Sequence, residues 1–490
     1  MALSKPSDWF KLGLVGLLLG SLAVRFWGLE RFNTLVFDEV YYVKFAHDYL
    51  TQTPPPDQHP PLSKYLIAIG IWLGNQLPIG RDTVNSLAGA AYSTWSYRWL
   101  NALTGALIPL VVSGLAWQLT RRYRYSFLAG LFAALDGLFL VESRYALNNV
   151  YLDILGLLGL WCLLLALDAQ KLKREAWLAL SGICFGAAFS IKWNGLWFLL
   201  GAYGLWVAAW IVRLLQKRRS LQFSEVDRSS PLANLTQLKL WQVGLNLAVI
   251  PAGFYWLSWI PHLKLTPNVS FWQLQQQILQ YHESVGSGAD IHPYCSSWYS
   301  WLVMRRPVAY FYQIAERGAP LPNGTSKLAI APDRLIYDVH AMGNPVLWWL
   351  STAAMILVVA VLVQQAIVWF FRNRATAAAP LQKPEWSLTP TELWLALFLV
   401  INYGANLLPW VRVTRCIFLY HYMGAAIFAG LTIAWLVDRW LDSPDPALRV
   451  MGIGTVLAIG LAFVFWLPIY LGLPLSPAEF ALRMWFPSWV

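Results

Sequence analysis

Long apolar runs separated by short polar joints dominate this chain. An α-helix rises 1.5 Å per residue, so roughly 20 mostly apolar residues cross the hydrocarbon of a bilayer. About eleven runs approach that length, at 11–28, 98–119, 126–142, 149–168, 176–191, 195–212, 241–260, 345–371, 392–409, 416–437 and 450–471. Each predicts a membrane-spanning helix. The run from Leu62 to Leu77 is shorter and is interrupted by Lys64 and Asn75, so it predicts a re-entrant or juxtamembrane helix. Two long joints remain, at 29–97 and 261–344. In the second, Phe271, Trp272, Leu274, Ile278 and Leu279 predict an amphipathic helix over 270–285, lying on the bilayer. The stretches 213–240 and 372–391 read as polar linkers. The chain therefore divides into an N-terminal membrane module (1–260) that carries the first long loop, a second long loop (261–344) and C-terminal membrane helices (345–490). The predicted fold class is an all-α polytopic membrane protein.

Composition agrees with this reading. Of 490 residues, 58% are hydrophobic and 12% are charged, against about 25% charged in a soluble domain. The 29 tryptophans suit the interface between lipid and water. A net charge of +11 would suggest nucleic acid in a soluble protein. Here the cations fall in short joints: Arg121, Arg122 and Arg124; Lys171, Lys173 and Arg174; Arg213, Lys217, Arg218 and Arg219; Arg372 and Arg374; Arg439 and Arg449. All share one side if the N-terminus is cytoplasmic, as the positive-inside rule requires. The bilayer, not nucleic acid, is the implied partner. The first run lacks a small-residue cleavage site and reads as a retained helix. Three of the four cysteines (Cys162, Cys184 and Cys416) lie in apolar runs and Cys295 does not, which predicts neither a metal cluster nor a disulfide framework. No GxxxxGK[ST] phosphate loop is present, so ATP-driven transport has no support.

Charges inside a membrane are costly, so polar residues that gather at one end of the spans mark candidate chemistry. They include Asp38, Glu39, His59, Asp136, Glu142, Arg144, Asn148, Asn149, Asp153, Lys192, Asn194, Arg412, Arg415 and His421. Adjacent carboxylates point different ways, so at most one of Asp38 and Glu39 faces a given reaction centre. Asp38 reads either as a general base or as the N-cap of a helix over Glu39–Leu50. Arg144 reads either as a phosphate clamp or as an interfacial Arg paired with Glu142 or Asp153. Lys192, Arg412 and Arg415 carry the same two readings. Asp136, near the middle of the third span, reads as a structural ion-pair partner or a cavity residue. His59 and His292 have no second ligand at metal spacing, so neither metal nor cofactor is predicted.

The order of the motifs resembles the protein O-mannosyltransferase family. Phe37-Asp38-Glu39 is followed by Gln58-His59-Pro60-Pro61-Leu62, then Asp136-Gly137, Ser143-Arg144-Tyr145-Ala146-Leu147, Ile191-Lys192-Trp193-Asn194-Gly195 and Tyr420-His421-Tyr422. His292-Pro293-Tyr294 with Ser297-Trp298, and Gly343-Asn344-Pro345-Val346, look like its bacterial branch. The resemblance spans nearly the whole chain, in order. It implies a type-C glycosyltransferase fold with its active site in the first extracytoplasmic loop. The implied donor is a polyprenyl-phosphate mannose, and the implied acceptor is a Ser or Thr hydroxyl of a translocated protein. It makes the Asp38–Glu39 pair catalytic, with Asp38 the base, and associates Arg144 with the donor phosphate.

Beside Arg144, Lys192, Arg412 and Arg415 would bind that phosphate. His59, Asn149, Asp153, Trp193, His421 and Tyr422 would contact sugar or acceptor. The family usually carries Asp where Asn149 stands here, and Asp153 one turn later is a possible substitute. The second loop is too short for the β-trefoil insert of the eukaryotic enzymes. The protein is thus expected in the plasma membrane, N-terminus cytoplasmic and active site extracytoplasmic. A related transferase with a lipid or glycan acceptor shares the donor chemistry. A secondary transporter or flippase would show internal repeats, and none is visible.

Overall fold

A computed structural model describes residues 8–56, 58–217, 231–316, 334–372 and 388–490. Arg218, Arg219 and Arg374 of the basic joints lie outside these residues, with most of the two polar linkers.

Among the described residues, nine helices are long and apolar enough to cross a membrane, or ten if one bent pair is a single span. The remaining predicted run, 176–191, falls within a helix of 19 residues, Lys171–Phe189, whose first five positions include Lys171, Lys173, Arg174 and Glu175. The central element is Thr94–Thr120, which packs against Asp8–Phe26, Leu62–Gly74, Tyr123–Ala134 and Asn149–Asp168. Met423–Leu441 plays the same part at the other end of the chain, between Pro345–Arg372, Pro390–Leu407 and Pro446–Leu471. Lipid faces the outward stripes: Ile453, Leu457, Leu461 and Val464 recur at helical spacing and are 53%, 60%, 71% and 64% exposed.

The bent pair corrects the reading of the third span. Tyr123–Ala134 and Gly137–Arg144 meet at 57°. Asp136 sits at the break and caps the second helix, accepting the Phe139 N–H at 3.1 Å. It is therefore the N-cap at a break in the span. Gly137 beside it allows close packing, since a Cβ there would meet the Tyr470 ring at 2.1 Å.

Leu62–Gly74, at 13 residues, is roughly 20 Å long and too short to span. The amphipathic helix forms over Phe271–Ser284, with Ser270 and Gln273 making a reciprocal capping box. Trp272 stands 73% exposed on it.

Two features depart from expectation. The second long loop holds an antiparallel hairpin, Val308–Glu316 with Arg334–Ala341, and the first holds a short strand pair, Val84–Asn85 with Tyr92–Ser93. The hairpin's aromatic and β-branched residues favour strand over helix. Cys295 and Cys416 form a disulfide, with Cα atoms 5.2 Å apart. Cys416 lies before the Leu419–Leu441 span, not inside it. The Cys416 N–H donates to the Gly286 carbonyl at 2.8 Å and the Ser296 N–H donates to the Ile417 carbonyl at 2.8 Å, which brings the two sulfurs together.

Candidate active site

Helix Glu39–Leu50 starts where the sequence predicts, and Asp38 occupies its N-cap position. The Asp38 carboxylate makes no capping hydrogen bond. It turns instead into a cavity of about 600 Å³. The preceding Phe37 holds φ = 51°, a conformation costly for a residue with a side chain. Its ring stacks on Tyr310 of the hairpin at 4.0 Å and 8°, which fixes the turn that presents Asp38.

Glu39 points the other way and is fully buried. Its carboxylate takes Arg98 Nε at 2.9 Å and Nη2 at 2.7 Å, together with the backbone N–H groups of Val36 at 2.8 Å and Ala146 at 2.9 Å. Arg98 spends its other N–H groups on the carbonyls of Leu29, Phe32 and Thr34. This pair staples the first loop to the bundle, so Glu39 is kept from the cavity.

Arg144 is also placed elsewhere. Its guanidinium donates to the carbonyls of Val24, Arg25, Trp27 and Gly28, at 2.9, 2.9, 2.9 and 3.0 Å. It thus neutralises the carbonyl end of the first span. It does not line the cavity, and it pairs with neither Glu142 nor Asp153 among the described residues. Helix geometry explains the outcome: positions two apart on Gly137–Arg144 differ by about 200°, so Glu142 faces the cleft and Arg144 faces away.

The cations of the cavity are Lys192, Arg412 and Arg415, with Asp38, His59, Trp193 and His421 on the same wall. Lys192 is buried and its ammonium stands 5.5 Å from the centre of the Tyr420 ring. The Leu62 N–H donates to the Ser190 carbonyl at 3.1 Å, holding the His59 loop against the Lys192 loop. Trp193 donates to the Tyr255 hydroxyl at 3.0 Å, which orients the indole. Arg415 donates to the Cys416 carbonyl at 3.2 Å, next to the disulfide. Burial pushes the Asp38 carboxyl up to about 6, against the pull of Lys192. Burial likewise lowers the Lys192 ammonium to about 8, against the pull of Asp38 and Glu142. His59 is held well below its ordinary value by burial and by neighbouring Lys192.

Asn149 joins a narrow cleft that opens on Asp38 and Lys192. Asp153 and Tyr422 do not reach the cavity. Asp153 is buried with one oxygen unpaired, and Tyr422 meets the Tyr403 hydroxyl inside the bundle at 3.0 Å. Sequence reasoning assigned no role to Tyr42, His282, Tyr310 or Tyr420. Tyr42 had a signal, one turn after Asp38 on a predicted helix, and Tyr420 another, inside the Tyr420-His421-Tyr422 motif. His282 lies 5.3 Å from the His59 ring across the cavity, a contact that sequence distance conceals.

Comparison with known proteins identifies the family. Residues 15–266 match the family model described as dolichyl-phosphate-mannose-protein mannosyltransferase. Residues 268–489 match that of the C-terminal four-transmembrane region of protein O-mannosyltransferase. The chain belongs to the protein O-mannosyltransferase family. It is 22% identical to the polyprenol-phosphate-mannose–protein mannosyltransferase of Mycolicibacterium smegmatis, over 93% of this chain and 88% of that one. Identity to the protein of the same name from Corynebacterium glutamicum is 24%, over 96% and 91%.

The S. cerevisiae protein O-mannosyltransferase complex, solved with its sugar donor, superposes with a TM-score of 0.76 at 14% identity, covering 99% of this chain and 93% of that one. The fold is that of the type-C glycosyltransferases. The cavity draws on both matched segments: Asp38, His59 and Lys192 come from the first, Arg412, Arg415 and His421 from the second.

Proposed function

We propose that this protein transfers mannose from a polyprenyl-phosphate carrier to Ser or Thr hydroxyls of translocated proteins, with inversion at the sugar carbon. One observation carries the reading: a desolvated carboxylate, Asp38, shares a cavity with three cations. Asp38 takes the proton of the acceptor hydroxyl while that oxygen bonds to the anomeric carbon. The bond from that carbon to the carrier phosphate breaks, and polyprenyl phosphate leaves. A phosphate leaving group needs no proton, but its growing charge needs donors. Lys192, Arg412 and Arg415 supply them, where low water content strengthens the attraction. Trp193, Tyr42 and Tyr420 offer faces for the sugar. The names of the two bacterial relatives support the donor class.

The cavity belongs on the extracytoplasmic side of the plasma membrane, with the N-terminus cytoplasmic. The basic joints support this side. So does the disulfide at the cavity rim, since such bonds persist in oxidising compartments. Purified protein given labelled polyprenyl-phosphate mannose and a Ser/Thr-rich peptide should label the peptide, and no labelling would refute the reading. For sidedness, Arg218→Cys should react with an impermeant thiol reagent only in permeabilised cells. Reaction in intact cells would reverse the orientation.

A further inference from the structure

A second carboxylate faces the reaction cleft. Glu142 is fully buried on Gly137–Arg144 and lines the narrow cleft together with Asp38, Asn149, Lys192 and Tyr310. One of its oxygens accepts the Tyr310 hydroxyl, and the other accepts Asn149 Nδ2 at 3.2 Å. The Asn149 carbonyl oxygen in turn accepts Lys192 Nζ at 3.1 Å. An amide has one donor end and one acceptor end, so this chain of contacts has one direction. Asn149 must offer its NH₂ to Glu142 and its carbonyl to the ammonium.

A buried ammonium needs a countercharge, or it sheds its proton. Asp38 provides one, but Asp38 becomes neutral when it accepts the acceptor's proton. Glu142 does not take part in that transfer: both of its oxygens are already engaged, by the Tyr310 hydroxyl and by Asn149 Nδ2. Tyr310 is braced by the Phe37 stack, and Asp153 is a buried carboxyl close enough to interact with Glu142. Around Lys192 stand Asp38, Glu142, Arg415 and Lys64, with His59, His282 and His421 beyond. Asp38, Glu142 and Asp153 are the carboxylates that act on it, and of these Glu142 is the one joined to it through Asn149.

We propose that Glu142 is a positioning residue that acts through Asn149 to keep Lys192 charged and aimed into the donor cavity, with Tyr310 holding Glu142 in place. The role of Lys192 in transfer rests on the mannosyltransferase reading; the coupling between Glu142 and Lys192 does not. The test therefore reads both. In the full-length protein, the Lys192 amine is titrated by competitive labelling with a small acylating reagent across about pH 6 to 10 and read by mass spectrometry.

Glu142→Gln keeps the side-chain length and removes the charge. Its Lys192 midpoint should fall from about 8 by about one pH unit, and kcat/KM for transfer at about pH 8 should fall about fivefold, as the protonated fraction does. Adding Asn149→Asp places a carboxylate directly against the ammonium and should restore both. Tyr310→Phe keeps the ring stack, removes the hydrogen bond, and should move the midpoint the same way by less. It serves if Glu142→Gln does not fold. An unmoved midpoint in Glu142→Gln overturns the proposal. A moved midpoint with an unmoved transfer profile leaves the coupling standing and overturns the role of Lys192 in transfer.

Discussion

Replacing Asp38 with Asn tests the assignment of the base most directly. The change keeps the shape and removes the proton acceptor. Two magnitudes follow from the structure. Burial raises the carboxyl from 3.8 to about 6, and each pH unit corresponds to about 1.4 kcal/mol. A raised carboxyl disfavours the folded state in full above the folded value near 6, and the cost vanishes below the unfolded value near 4. At about pH 7.5 the charged Asp38 thus costs the fold up to roughly 3 kcal/mol, less what its residual contact with water screens. Asn escapes that cost.

The second magnitude is catalytic: loss of a general base lowers the rate about 10²- to 10⁴-fold, or roughly 3–5 kcal/mol of barrier. Asp38→Asn should therefore unfold at the same or a higher temperature than the parent protein while its transfer of labelled mannose collapses. Thermal unfolding and initial rates on the same preparation measure both. A wild-type rate, or a lost rate accompanied by a large fall in Tm, refutes the assignment.

Other outcomes follow from the same geometry. Glu39→Gln leaves Arg98 with an uncompensated buried charge, so it should cost about 3–5 kcal/mol and lower Tm sharply. A Tm unchanged from wild type would contradict the staple role. The pH profile of kcat/KM should rise through about 6 as Asp38 ionises and fall past about 8 as Lys192 loses its proton; a flat profile between about pH 5 and 9 would exclude both groups. Lys192→Met should lower kcat/KM by about 10²-fold with little change in Tm, whereas Arg144→Ala should lower Tm and leave the KM for the donor within about twofold of wild type. A selective rise in donor KM in Arg144→Ala would return Arg144 to the phosphate site.

The membrane helices were legible because apolar length alone specifies them, and Asn149–Asp168 has the predicted bounds. The helix Glu39–Leu50 was legible from its polar start. Direction around a helix was not. Glu142 and Arg144 lie two residues apart, and only the break at Asp136 decides which of them reaches the cleft. The hairpin escaped because its Val308–Glu316 strand reads as another short apolar stretch between spans. The disulfide carried an overlooked signal: Cys295 in the second loop and Cys416 at the start of a predicted span both sit on the predicted outer side. Asn149 looked like a lost acid whose substitute was Asp153, one turn along. The structure instead sets Glu142 against its amide, a partner delivered by a different helix.

The cavity is a seam. Asp38 and Lys192 come from the stretch before residue 266, while Arg412, Arg415 and His421 come from the stretch after residue 268. A fragment holding either stretch would present half of a binding surface. Selection therefore acts on the two stretches jointly, and recombination that exchanged one of them between distant relatives would have to preserve the facing partners as well as the fold.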